Sequence, residues 1–207
     1  MRLLGRVSSI NVRKVLWTAR EIGLDFKHED DWATAARPTS TPDFLTLNPN
    51  GLVPVWQDGN GTLWESNAIC RYLASSHGRA DLLPADPFRS ALVERWMDWA
   101  AGDLNRAWSY AFMALVRRDP SYADASEVAR SAAGWNRLMG ILDTQLGTAG
   151  PYMAGADFTL ADIAIGLAAH RWRATPLDRP CLEHVAAYLD LLGGRPFFAA
   201  LTTEDLA

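Results

Sequence analysis

An α/β domain followed by an all-helical domain is the fold class this sequence predicts, and three observations predict it. Apolar spacing changes period repeatedly over roughly the first eighty residues, holds the helical period afterwards, and the two regimes are parted by the proline-bearing stretch Arg79 to Pro87. The boundaries expected are 1–78 for the α/β domain, 79–87 for a linker and 88–207 for the helices. With 49% hydrophobic and 21% charged residues in a chain of 207, there is apolar side chain for one sizeable core or two smaller ones, which excludes general disorder.

Each element has its own signal. Arg2 to Gly5 reads as a short strand. After the polar loop Ser8-Ser9-Ile10-Asn11, the set Val12, Val15, Leu16, Ala19 and Ile22 follows helical spacing, and Gly23 ends the helix as a left-handed cap. Asp25 to Asp30 alternates weakly and predicts a second strand. Trp32 to Pro42, rich in Ala, Thr, Ser and Pro, is a loop, with a short helix around Asp43 to Leu47 beyond it. The runs Val55-Trp56-Gln57 and Thr62-Leu63-Trp64 flank the turn Asp58-Gly59-Asn60-Gly61 and predict a β-hairpin. Glu65-Ser66-Asn67 opens a helix with apolar Ile69, Tyr72 and Leu73, closed by Gly78, so the order β-α-β-α-β-β-α is complete by about residue 78. Further helices are expected near 87–117, 126–147, 159–173 and 181–192, with a short one after Pro196.

Charge and composition narrow the partners. The net charge is −4 and the 20 basic residues are scattered, so there is no basic stripe to displace counterions from a nucleic acid. No apolar run approaches the ~18–20 uncharged residues of a membrane span, and Arg2 and Arg6 are not followed by an apolar leader core, which makes a cytoplasmic location the expectation. Cys70 and Cys181 stand far apart and outside any C-x-x-C pair, and His28, His77, His170 and His184 lack metal-ligand spacing, so structural thiols and no metal are expected. Nine tryptophans, five of them between Trp96 and Trp172, suit a helical core with a roomy aromatic pocket.

Three short stretches carry the chemistry. A proline directly ahead of the hairpin, in Val53-Pro54, cannot donate to a ladder. It sits at a strand's first residue, on an edge or in a cis turn, and the turn-rich Asn48-Pro49-Asn50-Gly51 before it favours cis. In a cis turn, the Val53 carbonyl and N–H would face outward to receive another peptide backbone. Glu65-Ser66 at a helix start has a plain reading as a cap. It has a functional one as a clamp for an amino-acid zwitterion, in which the helix N-terminus holds the carboxylate and Glu65 accepts from the ammonium. Ser9 and Asn11 admit capping too, but in this element order their loop, the turn before Pro54 and the last helix start can converge at the carboxyl end of the sheet, where α/β ligands bind.

The run Asn48 to Pro54, then Leu63-Trp64-Glu65-Ser66-Asn67-Ala68-Ile69 with Tyr72-Leu73, resembles the glutathione-binding domain of the cytosolic glutathione transferases. Phe158-Thr159-Leu160-Ala161-Asp162-Ile163 is similar to the capping box of that family's helical domain, in which Thr159 caps, Asp162 returns the bond and Phe158 staples Ile163. The resemblance spans essentially the whole chain and points to the bacterial serine-type, theta- or beta-like members. It implies a thioredoxin-like first domain and a glutathione transferase joining the glutathione thiolate to a small hydrophobic electrophile, as a homodimer. By the same resemblance Val53 binds the cysteinyl backbone beside cis Pro54, Glu65 and Ser66 hold the γ-glutamyl end, and Asn50 and Leu52 belong to the same binding turn. Ser9 aligns with the thiol-activating hydroxyl and Asn11 is a second donor, the choice between them being open. The basic groups that hold the glycine carboxylate in many relatives are replaced by Asn50 and Gly51, leaving Arg37 or a backbone N–H for that task. Trp108, Phe112 and Trp172, with Tyr110, Met113 and Arg173, are expected to wall the electrophile pocket, although aromatics at helical spacing also read as core. A glutathione-dependent peroxidase or disulfide reductase, and a non-catalytic binding module of the same fold, are the competing functions.

Overall fold

The protein is described by a computed structural model over residues 1–202, and it divides into two compact units, Met1–Leu83 and Pro84–Ala207. In the first unit a mixed sheet runs in the order β2-β1-β3-β4, from β1 (Arg2–Leu4), β2 (Lys27–Glu29), β3 (Val55–Asp58) and β4 (Gly61–Trp64). β1 and β2 are parallel, with Leu3 opposite His28, and therefore need the crossover helix α1 (Ile10–Ile22) between them. β3 pairs antiparallel with both β1 and β4, placing Leu4 opposite Val55 and Val55 opposite Trp64.

Alternation along these short strands divides the core. Leu4 and Val55 face Trp32 and Phe44, the latter from α2 (Pro42–Leu47), with Leu47 and Val53 packed against them. Leu3 and Trp56, one step along, are fully buried and point to the opposite face. That face is covered by α1 and α3 (Ser66–Ser76), which pack on one another. Gly23 ends α1 at φ 83°, its N–H returning to Ala19 and Arg20, as an αL cap does. Proline at the first position of α2 pre-sets the helical φ, and the Thr41 hydroxyl accepts from the Phe44 N–H at 3.4 Å.

The second unit is helical. α4 (Pro87–Trp99) passes through one turn of π-helix, Ala100–Leu104, into α5 (Asn105–Leu115), where a single helix over 87–117 was expected. A 3₁₀ turn at Pro120–Tyr122 precedes α6 (Ala125–Ala149), whose N-cap Asp124 accepts from Ser126 and Glu127. α7 (Leu160–Ala174) is buried on nearly every side and forms the centre of the unit, packed by α4 and by α8 (Glu183–Gly193); α9 (Pro196–Thr202) follows. The Asp162 carboxylate accepts from the Thr159 N–H at 2.8 Å, and the Thr159 hydroxyl lies 3.1 Å from the same oxygen. Phe158 meets Tyr152 edge-on at 5.8 Å, with the Arg195 guanidinium 3.6 Å above its ring. No helix among the described residues is long and apolar enough to cross a membrane.

Candidate active site

Glycine at position 5 lets the loop after β1 approach the turn before β3. Its φ is 142°, and a Cβ there would fall 2.6 Å from Val12 Cγ2 and 2.8 Å from Val53 Cβ. No side chain fits between those neighbours, so Gly5 draws the Ser9 loop against Val53. The peptide joining Val53 to Pro54 is cis, and neither the N–H nor the carbonyl of Val53 bonds to another described group. Pro54 itself is buried.

Asn48 builds the turn ahead of Val53. It is 3% exposed, donates to the Leu52 carbonyl at 2.7 Å, and accepts at 3.0 Å from both the N–H and the side-chain amide of Asn50. Thr39 closes the turn from outside by donating to the Gly51 carbonyl at 2.6 Å. Asn50 and Leu52 are consequently held at the surface, Leu52 with 63% of its area exposed. The organising role of Asn48 was not read from the sequence, although the Asn-Pro-Asn-Gly run carries the signal, since Asn side chains bond the backbone two residues on.

The starts of α1 and α3 meet. The Ser66 hydroxyl donates to the Asn11 side-chain oxygen at 3.3 Å, and Lys14 donates to Asn67 at 3.1 Å. Ser66 is 5% exposed while Asn11 lies open. Glu65, not Ser66, occupies the N-cap position of α3, and it does so with φ 70° and ψ 107°, a left-handed region that non-glycine residues enter at a cost of ~1–3 kcal/mol. Its carboxylate makes no cap bond. Ser9 stands at the N-cap of α1 with φ −77° and ψ 122°, again without a side-chain cap bond, while its carbonyl receives the first helical bond from Arg13 at 3.0 Å. The capping reading therefore fails for Ser9, Glu65 and Ser66 alike.

Arg37, considered for the glycine carboxylate, is held elsewhere. Its guanidinium contacts Asp31 at 3.0 Å and Glu29 at 3.2 Å and lies 3.8 Å over the Trp32 ring. Glu29 gathers Arg2, Lys27 and Arg37 as well. Burial pushes its carboxyl up, but the Trp32 and Lys27 hydrogen bonds and the charges of Lys27 and Arg2 outweigh burial and hold it below the usual range.

The aromatics of the helical unit form a cluster. Trp108 meets Phe112 edge-on at 5.3 Å and Trp135 at 6.1 Å, and the Arg171 guanidinium sits 4.5 Å from Trp108 and 4.2 Å from Phe112. Trp172 donates to Asn136 at 2.8 Å. Phe112 and Trp172 are 3% and 5% exposed, so both lie in the core of that unit, and only half-buried Trp108 of the three keeps appreciable surface. Of the thiols, Cys70 is buried beside the Thr18 hydroxyl at 3.2 Å, and burial raises its pKa, whereas Cys181 is exposed.

A βαβαββα layer with a backbone-presenting turn and two converging helix starts is a thioredoxin-like ligand-binding domain, here followed by an all-helical one. Residues 1–75 match the family model described as glutathione S-transferase, N-terminal domain. The chain is 39% identical over 168 residues to glutathione S-transferase GstB of Escherichia coli, covering 79% of this chain and 78% of that protein. It is 34% identical over 206 residues to glutathione S-transferase 3 of Zea mays, covering 96% and 91%. Among solved structures it is similar to the theta class glutathione S-transferase of Xanthomonas axonopodis pv. citri with glutathione bound, with a TM-score of 0.92, 35% identity, and 100% and 98% of the two chains covered. The chain belongs to the glutathione S-transferase family, as its motifs at 48–54, 63–73 and 158–163 led one to expect.

Proposed function

We propose that this protein binds glutathione on its first unit, holds it as the thiolate and transfers it to a small hydrophobic electrophile. What carries the reading is that Ser9, Glu65 and Ser66 sit at two helix starts, where such side chains ordinarily cap, and none of them does. In this reading Val53 pairs with the cysteinyl backbone beside Pro54. Ser66 and the N-terminus of α3 hold the γ-glutamyl carboxylate, and Glu65 accepts from its ammonium. Asn50 and Leu52, at the surface of the same turn, lie along the tripeptide, and a backbone N–H takes the glycine carboxylate, since Arg37 is committed to Glu29 and Asp31.

The energetics are within reach of these groups. A free thiol titrates near ~8.5, and lowering it by about two units needs roughly 2.7 kcal/mol at ~1.36 kcal/mol per unit. One hydrogen bond to a charged group supplies ~1.5–3 kcal/mol and a helix N-terminus ~0.3–1 kcal/mol. The Ser9 hydroxyl is the donor rather than a base, since it does not ionise at neutral pH. The thiol proton leaves to water or to glutathione's own carboxylate, the thiolate sulfur then forms a bond to the electrophilic carbon, and the leaving group departs with its electron pair. Asn11, whose oxygen is engaged by Ser66, keeps its amide N–H pair as a second donor. Trp108 offers apolar surface to the electrophile, its ring held by Phe112 and Trp135 from within the core. A homodimer in the cytoplasm belongs to the same proposal, checked by sedimentation at twice the chain mass.

Ser9→Ala tests the central step. Turnover at saturating glutathione should fall about 10- to 100-fold, the equivalent of ~1.4–2.7 kcal/mol, while the calorimetric affinity for glutathione, measured at a pH below the bound thiol's pKa, stays within about twofold. Unchanged turnover would remove Ser9 from the role.

A further inference from the structure

The backbone of Val7, two residues before Ser9, is gripped on both its N–H and its carbonyl. Its N–H donates to the Asp30 carboxylate just past β2, and its carbonyl receives the Arg13 Nε at 2.7 Å from the first turns of α1. The surrounding loop is tied to the same strand end. Gly5 N–H donates to the Glu29 carbonyl at 3.0 Å and Arg6 N–H to the Trp32 carbonyl at 3.1 Å, while His28 Nε2 lies 2.8 Å from the Gly5 carbonyl and 3.7 Å from Asp30. Ser9 then hangs from this frame, its own N–H bonded to the Arg6 carbonyl at 3.1 Å. Arg13 is 3% exposed, whereas the Asp30 side chain is 55% exposed. An exposed carboxylate fixing a backbone N–H in the loop that bears the catalytic hydroxyl has no fold-wide task to explain it, since β2 is already paired to β1 through backbone bonds.

We propose that Asp30 and Arg13 are positioning residues for thiol activation: by clamping the two peptide groups that flank the Val7 Cα they fix where the Ser9 hydroxyl points. The inference rests on the reading of Ser9 as the thiolate donor. It assigns to two residues a function exercised through the backbone of Val7. A hydrogen bond to an anion weakens steeply when its angle falls away from linearity, so a loop free to swing would keep the hydroxyl while losing its use.

The test uses the whole 207-residue chain with bound glutathione, whose thiolate is followed by its ultraviolet absorbance across pH. Asp30→Ala is expected to raise the bound thiol's pKa by about one unit, a tenfold smaller thiolate fraction below that pKa, and to lower turnover to match. Glutathione affinity, measured at a pH below the bound thiol's pKa where the thiol is protonated in both proteins, and melting temperature should stay as in the wild type. Asp30→Asn is expected to restore both, because its amide oxygen can still accept from Val7. The signs separate geometry from charge: removing a negative charge near the thiol would by itself lower the pKa, and in both variants equally. In a Ser9→Ala background, Asp30→Ala should add nothing, as expected of residues acting through one another. A wild-type titration for Asp30→Ala, or an equal shift with and without Ser9, overturns the inference while leaving the proposed function intact. A Ser9→Ala variant with an unmoved thiol pKa overturns the reading of Ser9 itself and this inference with it.

Discussion

At the scale of single residues, the first unit depends on one position without a side chain. Gly5 combines φ 142° with van der Waals neighbours on both sides, Val12 Cγ2 and Val53 Cβ, neither of which is the movable tip of a long side chain. Gly5→Ala therefore meets an overpacking cost of ~1–3 kcal/mol and a backbone cost of ~1–3 kcal/mol together. Urea unfolding should show a midpoint well below that of the wild type, and glutathione affinity should drop because Val53 is pushed from its place. A variant within about 0.5 kcal/mol of the wild type would mean the loop has room that the geometry denies. The contrast with Ser9 and Ser66 shows how far the residues of the site were legible. Residue type and spacing placed them at helix starts, but could not separate a capping hydroxyl from a waiting one, since both demand Ser in the same place. Asp30 and Arg13 left no sequence signal at all, because their shared partner is a backbone peptide, and a backbone peptide looks alike at every position.

Elements were legible where a backbone requirement picks the residue type. Gly23 at φ 83° closes α1, the Asp-Gly-Asn-Gly turn makes the hairpin of β3 and β4, and Pro42 opens α2. The π turn at Ala100–Leu104 was not legible, since a shift in backbone bonding leaves the apolar period nearly untouched. The second strand, expected over Asp25 to Asp30, shortened to Lys27–Glu29, the residues that β1 can actually pair. The start of α7 was legible in its residues but not in its consequence. Asp162 is fully buried and accepts from the Met153 and Thr159 N–H groups and from the Tyr188 hydroxyl. Burial pushes its carboxyl up to about 6, against those donors and the Thr159 hydroxyl, which hold it down. A folded-state pKa above the ordinary 3.8 means that between these values the native protein keeps a proton the unfolded chain has released. The contribution of this group is thus fully present below about pH 4 and is lost as pH rises through 6, by about 3 kcal/mol at ~1.36 kcal/mol per unit. Asp162→Asn cannot titrate, so the stability gap between wild type and variant should be widest near pH 4 and narrow toward pH 7. A gap that widens with pH would show that the four donors, rather than burial, set the state of the carboxyl.

For the molecule as a whole, ligand and stability are linked, and the link separates binding from activation. The proposed contacts to glutathione lie on backbone and helix-start groups of the first unit, Val53, Glu65 and Ser66, whereas Ser9 acts on the thiol alone. Glutathione that binds only the native state stabilises it by RT ln(1 + [L]/Kd), about 2.7 kcal/mol at a hundredfold excess over Kd. At ~2–4 °C per kcal/mol for a chain of this size, the melting temperature should rise by about 5–10 °C, provided the chain unfolds in one transition. Ser9→Ala should show the same rise, because it removes a contact to the sulfur and leaves the peptide contacts in place. Glu65→Ala should show a much smaller one, since the ammonium loses its carboxylate partner, while the melting temperature without ligand should hold, because the Glu65 side chain makes no cap bond and alanine keeps the Cβ that makes a φ of 70° costly. If neither the wild type nor Ser9→Ala responds to glutathione, the chain carries the fold of its family without that family's ligand on these groups. If the wild type responds and yet turns over no electrophile, the protein is a binding module, and the uncommitted hydroxyl of Ser9 serves recognition instead of chemistry.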